Sequence, residues 1–248
     1  MIPRLSVVVP AYDEERRIGA TLARIRRYFE TQPYPVELVV VDDGSRDGTV
    51  AVARQALAGF PSGQLISYRP NRGKGYAVRT GIVATGGEYV LFTDADLSTP
   101  IEEVRRAFDL IERGNDLVLG SRAAGDVRVE QPPYRRLAAK LFNVVRDLIV
   151  GRSGVVDTQC GFKLFRGDVA RDVFSRQRVD RFMFDAETLF VARRLGYRYA
   201  EMPVAWADAP GSKVRVVRGA LELLPELLSI RLRHGHLRPG DARASHGT

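Results

Sequence analysis

The chain has 248 residues, 45% of them hydrophobic, and a net charge of +8 carried almost wholly by arginine, since its only lysines are Lys74, Lys140, Lys163 and Lys213. That length and apolar content suffice for one large α/β core, while the absence of any apolar run of ~18 residues argues against a membrane span. Cys160 is the only cysteine, which excludes an internal disulfide and any cysteine-based zinc site. A basic chain is drawn to anionic partners. No recognition helix, zinc module or basic run interleaved with aromatics points to nucleic acid, so a phosphorylated lipid or an anionic membrane surface is the better match. With no signal peptide visible, the expected location is the cytoplasm, peripheral on the cytoplasmic face of a membrane.

In chain order, the first half alternates strand and helix, the pattern of a doubly wound, mostly parallel sheet with helices on both faces. Leu5 to Pro10 reads as a strand, followed by a helix from Glu14 to Phe29 with Ile18, Leu22, Ile25 and Phe29 on one face. Glu37 to Val41 is a strand, Thr49 to Leu57 a helix, Gln64 to Tyr68 a short strand, Gly75 to Ala84 a helix and Tyr89 to Thr93 a strand. A helix from Ile101 to Arg113 opens behind Ser98-Thr99-Pro100, with Glu102 and Glu103 in its first turn, and Asp116 to Gly120 is the next strand.

After Ser121 the character changes. Residues 123–133 form a polar loop, and Arg135 to Val150 a basic amphipathic helix. Gly161 to Phe165 and Tyr197 to Trp206 read as strands flanking a helix from Asp185 to Leu195. The apolar segment Val214 to Leu232 is interrupted by charges and Pro225; an amphipathic C-terminal helix there either lies in a membrane interface or packs on the domain. The expected organisation is a single domain over residues 1–232, with a nucleotide-binding half to about 122 and an acceptor-binding half over 123–232, then a flexible tail over 233–248.

The chemistry concentrates at strand ends. Asp94-Ala95-Asp96 follows the apolar run Tyr89 to Phe92, and two carboxylates one residue apart suit a hard divalent cation, Mg²⁺ or Mn²⁺, completed by waters and substrate phosphates. Asp42-Asp43 closes the second strand, and in a parallel sheet both acidic ends face one crevice. Asp43 is then placed to accept from a ribose hydroxyl or a pyrimidine imide, and Tyr12 to lie against a base or ribose. Each of these features, met alone, has an ordinary structural role. The Asn71-Arg72-Gly73-Lys74-Gly75 stretch is glycine-rich and basic but lacks the spacing of a Walker loop. Arg122, Arg135 and Arg136 offer guanidinium forks to a second phosphate site, or form a solvated basic face.

Taken together, Val9 to Glu14, Val41 to Ser45, Asn71 to Gly75, Asp94 to Asp96 and Gly120 to Arg122 resemble glycosyltransferase family 2. The later motifs Asp157 to Lys163, Phe182 to Glu187 and Gly211 to Lys213 are similar to the polyprenyl-phosphate glycosyltransferases, the dolichyl-phosphate glucosyltransferase branch more than the mannosyl one. The resemblance implies a GT-A fold, a nucleotide-sugar donor such as UDP-glucose, a polyprenyl-phosphate acceptor and inverting transfer. It further implies that Pro10, Ala11, Tyr12, Glu14, Val41 and Asp43 hold the nucleoside and that Asp94 and Asp96 bind metal and diphosphate. Lys74, Ala95, Lys213 and Arg215 join the donor set, Arg122, Arg135 and Arg136 take the acceptor phosphate, and Asp157 belongs to the site without an assigned chemistry. Where mannosyl members carry Gln two residues after the second aspartate, this chain has Ser98. GDP-mannose as donor, a soluble acceptor, and a noncatalytic nucleotide-sugar-binding protein are the competing readings.

Overall fold

A computed structural model describes residues 2–122, 146–207 and 220–243. Seven strands form one sheet in the order β3-β2-β1-β4-β6-β5-β7: β1 (Leu5–Ala11), β2 (Val36–Asp42), β3 (Gly63–Ser67), β4 (Tyr89–Thr93), β5 (Leu117–Ser121), β6 (Phe162–Arg166) and β7 (Tyr199–Pro203). All neighbouring pairs run parallel except those of β6, which is antiparallel to both β4 and β5. Because β6 runs against its neighbours, its first residue lies beside the last residue of β4, with Thr93 opposite Phe162.

The central strands β1, β4, β5 and β6 are buried on both faces, as a sheet covered by helices requires, while the edge strands β3 and β7 are largely exposed or half-buried. On one face, Leu5, Val7 and Val9 of β1 pack with Ile18, Leu22, Ile25 and Phe29 of α1 (Ile18–Glu30), with α2 (Thr49–Leu57), and with Val104, Ala107 and Ile111 of α4 (Val104–Glu112). On the other face, Val8, Val39, Val41 and Phe92 meet α3 (Lys74–Ala84), α5 (Gly167–Arg176) and α6 (Phe184–Arg194). The alternation of strand side chains therefore sorts the helices between the two faces.

The elements of the first half follow the sequence reading closely. The first helix is shorter at its start than expected, because Asp13 turns with φ 53° and Glu14 spends its backbone N–H on Thr49 Oγ1 at 2.7 Å. The helix expected from Ile101 opens as a 3₁₀ turn over Ile101–Glu103 before α4. Helix α5 was not expected at all, although its buried Val169, Ala170, Val173 and Phe174 mark one apolar face. Of the expected helix over 135–150, residues 146–150 are helical and the remainder lies outside the described residues, as does the 123–133 loop.

At the C-terminus, α7 (Ala220–His234) packs Leu227 and Ile230 against Val179, Met183, Ala186 and Phe190. No described helix is long and apolar enough to cross a membrane. Beyond α7, Leu237 is buried, and within the last turn of that helix His234 Nε2 lies 2.7 Å from Oε1 of the fully buried Glu187. Arg243 N donates to Asp172 at 3.0 Å, and Arg176 donates to the Asp241 carbonyl. Polar side chains on α5 and α6 hold this segment, and composition alone does not reveal them.

Asp172 anchors that arrangement. It is 4% exposed and accepts hydrogen bonds from Tyr197 Oη at 2.7 Å and Arg176 Nε at 3.0 Å besides the Arg243 amide. Burial by itself would raise its pKa; the Arg243 amide, Tyr197 and Arg176 outweigh burial and hold it below the ordinary 3.8. A carboxyl with a depressed folded pKa stabilises the fold above its unfolded value, and that contribution is lost as pH falls through the folded value. Asp172→Asn is therefore expected to lower the unfolding free energy by about 2 kcal/mol near pH 7. The deficit should shrink as pH falls below the ordinary carboxyl value and vanish only once pH passes below the depressed folded value, as read from urea midpoints of the two proteins at neutrality and through the acid range.

Candidate active site

The carboxyl ends of β1, β2, β4 and β5 and the start of β6 share one edge of the sheet. This is the crevice where open α/β sheets bind ligands. Pro10 and Ala11 are the last residues of β1, paired with Val41 and Asp42. Tyr12 is half-buried just beyond them. The Glu14 carboxylate holds Arg17 Nε at 2.6 Å. The residues expected to hold a nucleoside thus gather at two adjoining strand ends.

Asp43 is buried, and its carboxylate is engaged within the protein. It accepts from Arg72 N, Gly73 N and Asn71 Nδ2, each at 2.8 Å. Asp42 accepts from Ser45 N and Ser67 Oγ. Gly44 must be glycine: its φ is 76°, and a Cβ there would stand 2.8 Å from Asn71 N. The second acidic pair therefore shapes the loop leading into α3, whose first residue is Lys74.

Asp94 and Asp96 leave the end of β4 in a tight turn. Leu97 closes it with φ 46°, an uncommon conformation for a residue with a Cβ, and its N–H donates to the Asp94 carbonyl at 3.1 Å. Thr21 of α1 donates to the Ala95 carbonyl at 2.6 Å, and Ser98 N donates to Asp96 Oδ1 at 3.0 Å. Ser98 thereby supports Asp96 through its backbone. Both carboxylates remain partly exposed. Asp94 N donates to the Gly161 carbonyl, and a Cβ at Gly161 would fall 1.8 Å from Asp94 Oδ2, so no other residue type fits there without moving that carboxylate.

The remaining oxygen, Asp94 Oδ1, meets Lys74 Nζ at 2.7 Å. Burial opposes the charge on Lys74, but Asp94 first, then Asp185 and Asp96, raise its pKa above the ordinary value, and it stays an ammonium. A second lysine, Lys163 of β6, is 1% exposed and reaches Asp185 Oδ1 at 2.5 Å and the Cys160 carbonyl at 2.6 Å. The two ammoniums lie 5.4 and 5.5 Å from the centre of the Phe92 ring. Burial raises the Asp185 carboxyl, against the pull of Lys163 and Lys74. The sequence alone assigns no role to Asp185 or Lys163. A lysine inside the apolar strand Phe162 to Phe165 was the signal.

At the end of β5, Arg122 forms a two-pronged pair with Asp157, Nε to Oδ2 at 2.7 Å and Nη2 to Oδ1 at 2.8 Å, while its own N–H donates to the same carboxylate. Burial pushes the Asp157 carboxyl up, but Arg122 more than offsets it and holds it below 3.8. Glu201 fixes this loop by accepting from Val156 N and Asp157 N. Asp157 thus acts on Arg122, whose remaining guanidinium N–H groups have no hydrogen-bond partner among the described residues and can serve an anion. Arg135, Arg136, Lys213 and Arg215 lie outside the described residues.

Residues 6–174 match glycosyl transferase family 2. A dolichyl-phosphate beta-glucosyltransferase of Trichomonas vaginalis is 33% identical over 244 residues, covering 93% of this chain and 73% of its own. The human dolichyl-phosphate beta-glucosyltransferase is 35% identical over 250 residues, 93% of this chain and 76% of its own. Among solved structures, glucosyl-3-phosphoglycerate synthase from Mycobacterium tuberculosis in complex with uridine diphosphate aligns with a TM-score of 0.64 at 22% identity, covering 94% of this chain and 80% of that one. A mannosyltransferase from Pyrobaculum calidifontis in complex with GDP-mannose and Mn²⁺ aligns at 0.58 and 24% identity, over 86% of this chain and 59% of that one. The sheet, with its acidic turn at the end of β4, is the GT-A fold, and the chain is a glycosyltransferase belonging to family 2.

Proposed function

We propose that the protein moves a hexose, glucose from UDP-glucose, onto the phosphate of a polyprenyl (dolichyl-type) lipid, with inversion at the anomeric carbon. The observation that carries this reading is that Asp94 and Asp96, at the end of β4, stand at the same sheet edge as an Arg122 oriented by Asp157 at the end of β5. One group suits a diphosphate, the other a phosphate. The relatives named for this reaction, aligned over most of the chain, support the choice of acceptor and sugar.

The donor set fits a divalent cation. Two half-exposed carboxylates with no third clustered His, Cys, Asp or Glu among the described residues suit Mg²⁺ or Mn²⁺, which keeps waters and takes phosphate oxygens. Asp94 and Asp96 would hold it, and its charge would offset that developing on the departing diphosphate. The residues of the chain supply positioning. The ends of β1 and β2, with Pro10, Ala11, Tyr12, Glu14, Val41 and Asp43, frame the nucleoside, and Lys74 faces the diphosphate, a role that the family resemblance extends to Lys213 and Arg215.

Arg122, with Arg135 and Arg136, brings the acceptor phosphate in line behind the anomeric carbon. A phosphate monoester has its second pKa at about 6, so the attacking oxygen is already largely anionic near neutrality and no strong base is required. Holding two anions in line against their mutual repulsion is the larger task. Leu148, Leu228 and Leu232 are exposed, and Arg231 and Arg233 sit in the last turn of α7; these support peripheral contact with an anionic bilayer at its cytoplasmic face, where a lipid phosphate is presented.

Two outcomes follow for purified protein given UDP-glucose and a short-chain polyprenyl phosphate. Asp96→Ala is expected to lower turnover by roughly 10³-fold with an unchanged thermal midpoint, since it removes a partly exposed carboxylate and nothing from the core. Chelation should reproduce the loss in the parent protein, with recovery on adding Mn²⁺; an active, folded Asp96→Ala protein would contradict the assignment. Asp157→Asn is expected to raise the KM for the lipid phosphate by about tenfold and leave that for UDP-glucose within about twofold, because it loosens Arg122. Equal changes in both constants would remove the division between donor and acceptor residues.

A further inference from the structure

Asp94 has one side closed and the other occupied. Oδ2 lies where a Cβ on residue 161 would stand, so the Gly161 backbone just ahead of β6 shuts that approach, and Oδ1 carries the Lys74 ammonium at 2.7 Å. A cation seeking Asp94 therefore arrives on the side of Lys74. We propose that Lys74 is a placeholder for the divalent cation: it neutralises Asp94 while the site is empty of donor and leaves it when a nucleoside diphosphate arrives, so that metal and nucleotide bind as a coupled pair. The inference rests on the metal reading of Asp94 and Asp96 given above.

Three features make the exchange feasible. Lys74 sits at the first position of α3, where its backbone is fixed, yet its side chain is 29% exposed and its four-carbon stem can turn. A second carboxylate stands at the same ring: Asp185 takes the Lys163 ammonium at 2.5 Å, and the Lys163 and Lys74 ammoniums lie 5.5 and 5.4 Å from the centre of the Phe92 ring. Finally, the N-terminus of α3 and the ammonium both favour an incoming anion, so the diphosphate that brings ligands for the metal also draws Lys74 away from Asp94. Lys163 takes no part in the exchange, since it is buried between Asp185 and the Cys160 carbonyl.

The coupling is read directly from Mn²⁺ binding, without turnover. Mn²⁺ titrations of the full chain, followed by electron paramagnetic resonance of the free ion, are carried out with and without UDP for the parent, Lys74→Met, Lys74→Gln and Asp96→Asn. In the absence of UDP, both Lys74 substitutions should tighten Mn²⁺ by about tenfold, the effect of removing a positive charge held against a metal ligand. With UDP present they should give no tightening, so the factor by which UDP improves Mn²⁺ binding falls by the same amount. Equal tightening with and without UDP would reduce Lys74 to a bystander charge and overturn the proposal, as would unchanged Mn²⁺ affinity in both variants while Asp96→Asn loses the ion. If Asp96→Asn binds Mn²⁺ with UDP as the parent does, the metal reading itself falls. Two substitutions of different polarity guard against one that fails to fold, and thermal midpoints identify it.

Discussion

The contact between Asp94 and Gly161 organises the site. Asp94 N donates to the Gly161 carbonyl at 3.0 Å while the missing side chain of Gly161 leaves room for the Asp94 carboxylate. This contact exists because β6 enters the sheet antiparallel, between β4 and β5, and so begins where they end. The same insertion delivers Lys163 to the face of Phe92, and the segment leading into β6 carries Asp157 to Arg122. A parallel strand in that place would begin at the opposite edge and bring none of these groups to the crevice.

Adjacent acids at two strand ends have different fates, and the difference lies in what donates to them. Asp43 receives two backbone amides and an Asn71 side chain, and Asp42 receives a backbone amide and a hydroxyl. These donors carry no formal charge and hold loops. The described partner of the Asp94 carboxylate is an ammonium, and Asp96 accepts from the Ser98 amide while staying partly exposed. A carboxylate already satisfied by several amides gains little from a metal, whereas one balanced by a cation exchanges it for another at low cost. The chemistry separates the two pairs where the letters do not.

That contrast also explains what the sequence disclosed. Strands β1, β2, β4 and β5 were legible because their two-sided burial yields continuous apolar runs, and the Asp94 turn because polar residues interrupt such a run at its end. The antiparallel sense of β6 was not, since Phe162 to Arg166 has the composition of either sense. Helix α5 carried a usable signal in Val169, Ala170, Val173 and Phe174 that went unread because the helix is only 10 residues long and follows β6 without a loop. The anchoring of residues 234–243 depends on Glu187 and Asp172, charged residues whose burial no local pattern announces.

Glu187 extends this reasoning to the position of Lys74. It is fully buried and accepts from Arg178 N and Val179 N, while His234 of α7 closes its other side. The loop it fixes in turn receives Tyr76 N on the Asp180 carbonyl, and Gln177 donates to the carbonyls of Gly75 and Val179. Gly73 and Gly75 lack side chains where that loop presses closest, with a Cβ on either falling within 2.6 Å of a loop carbonyl. The backbone of Lys74 is therefore gripped from the sheet side by Asp43 and from the helix side by the Glu187 loop. With both sides of that grip made of hydrogen bonds to backbone groups, the freedom left at this corner lies in the lysine side chain.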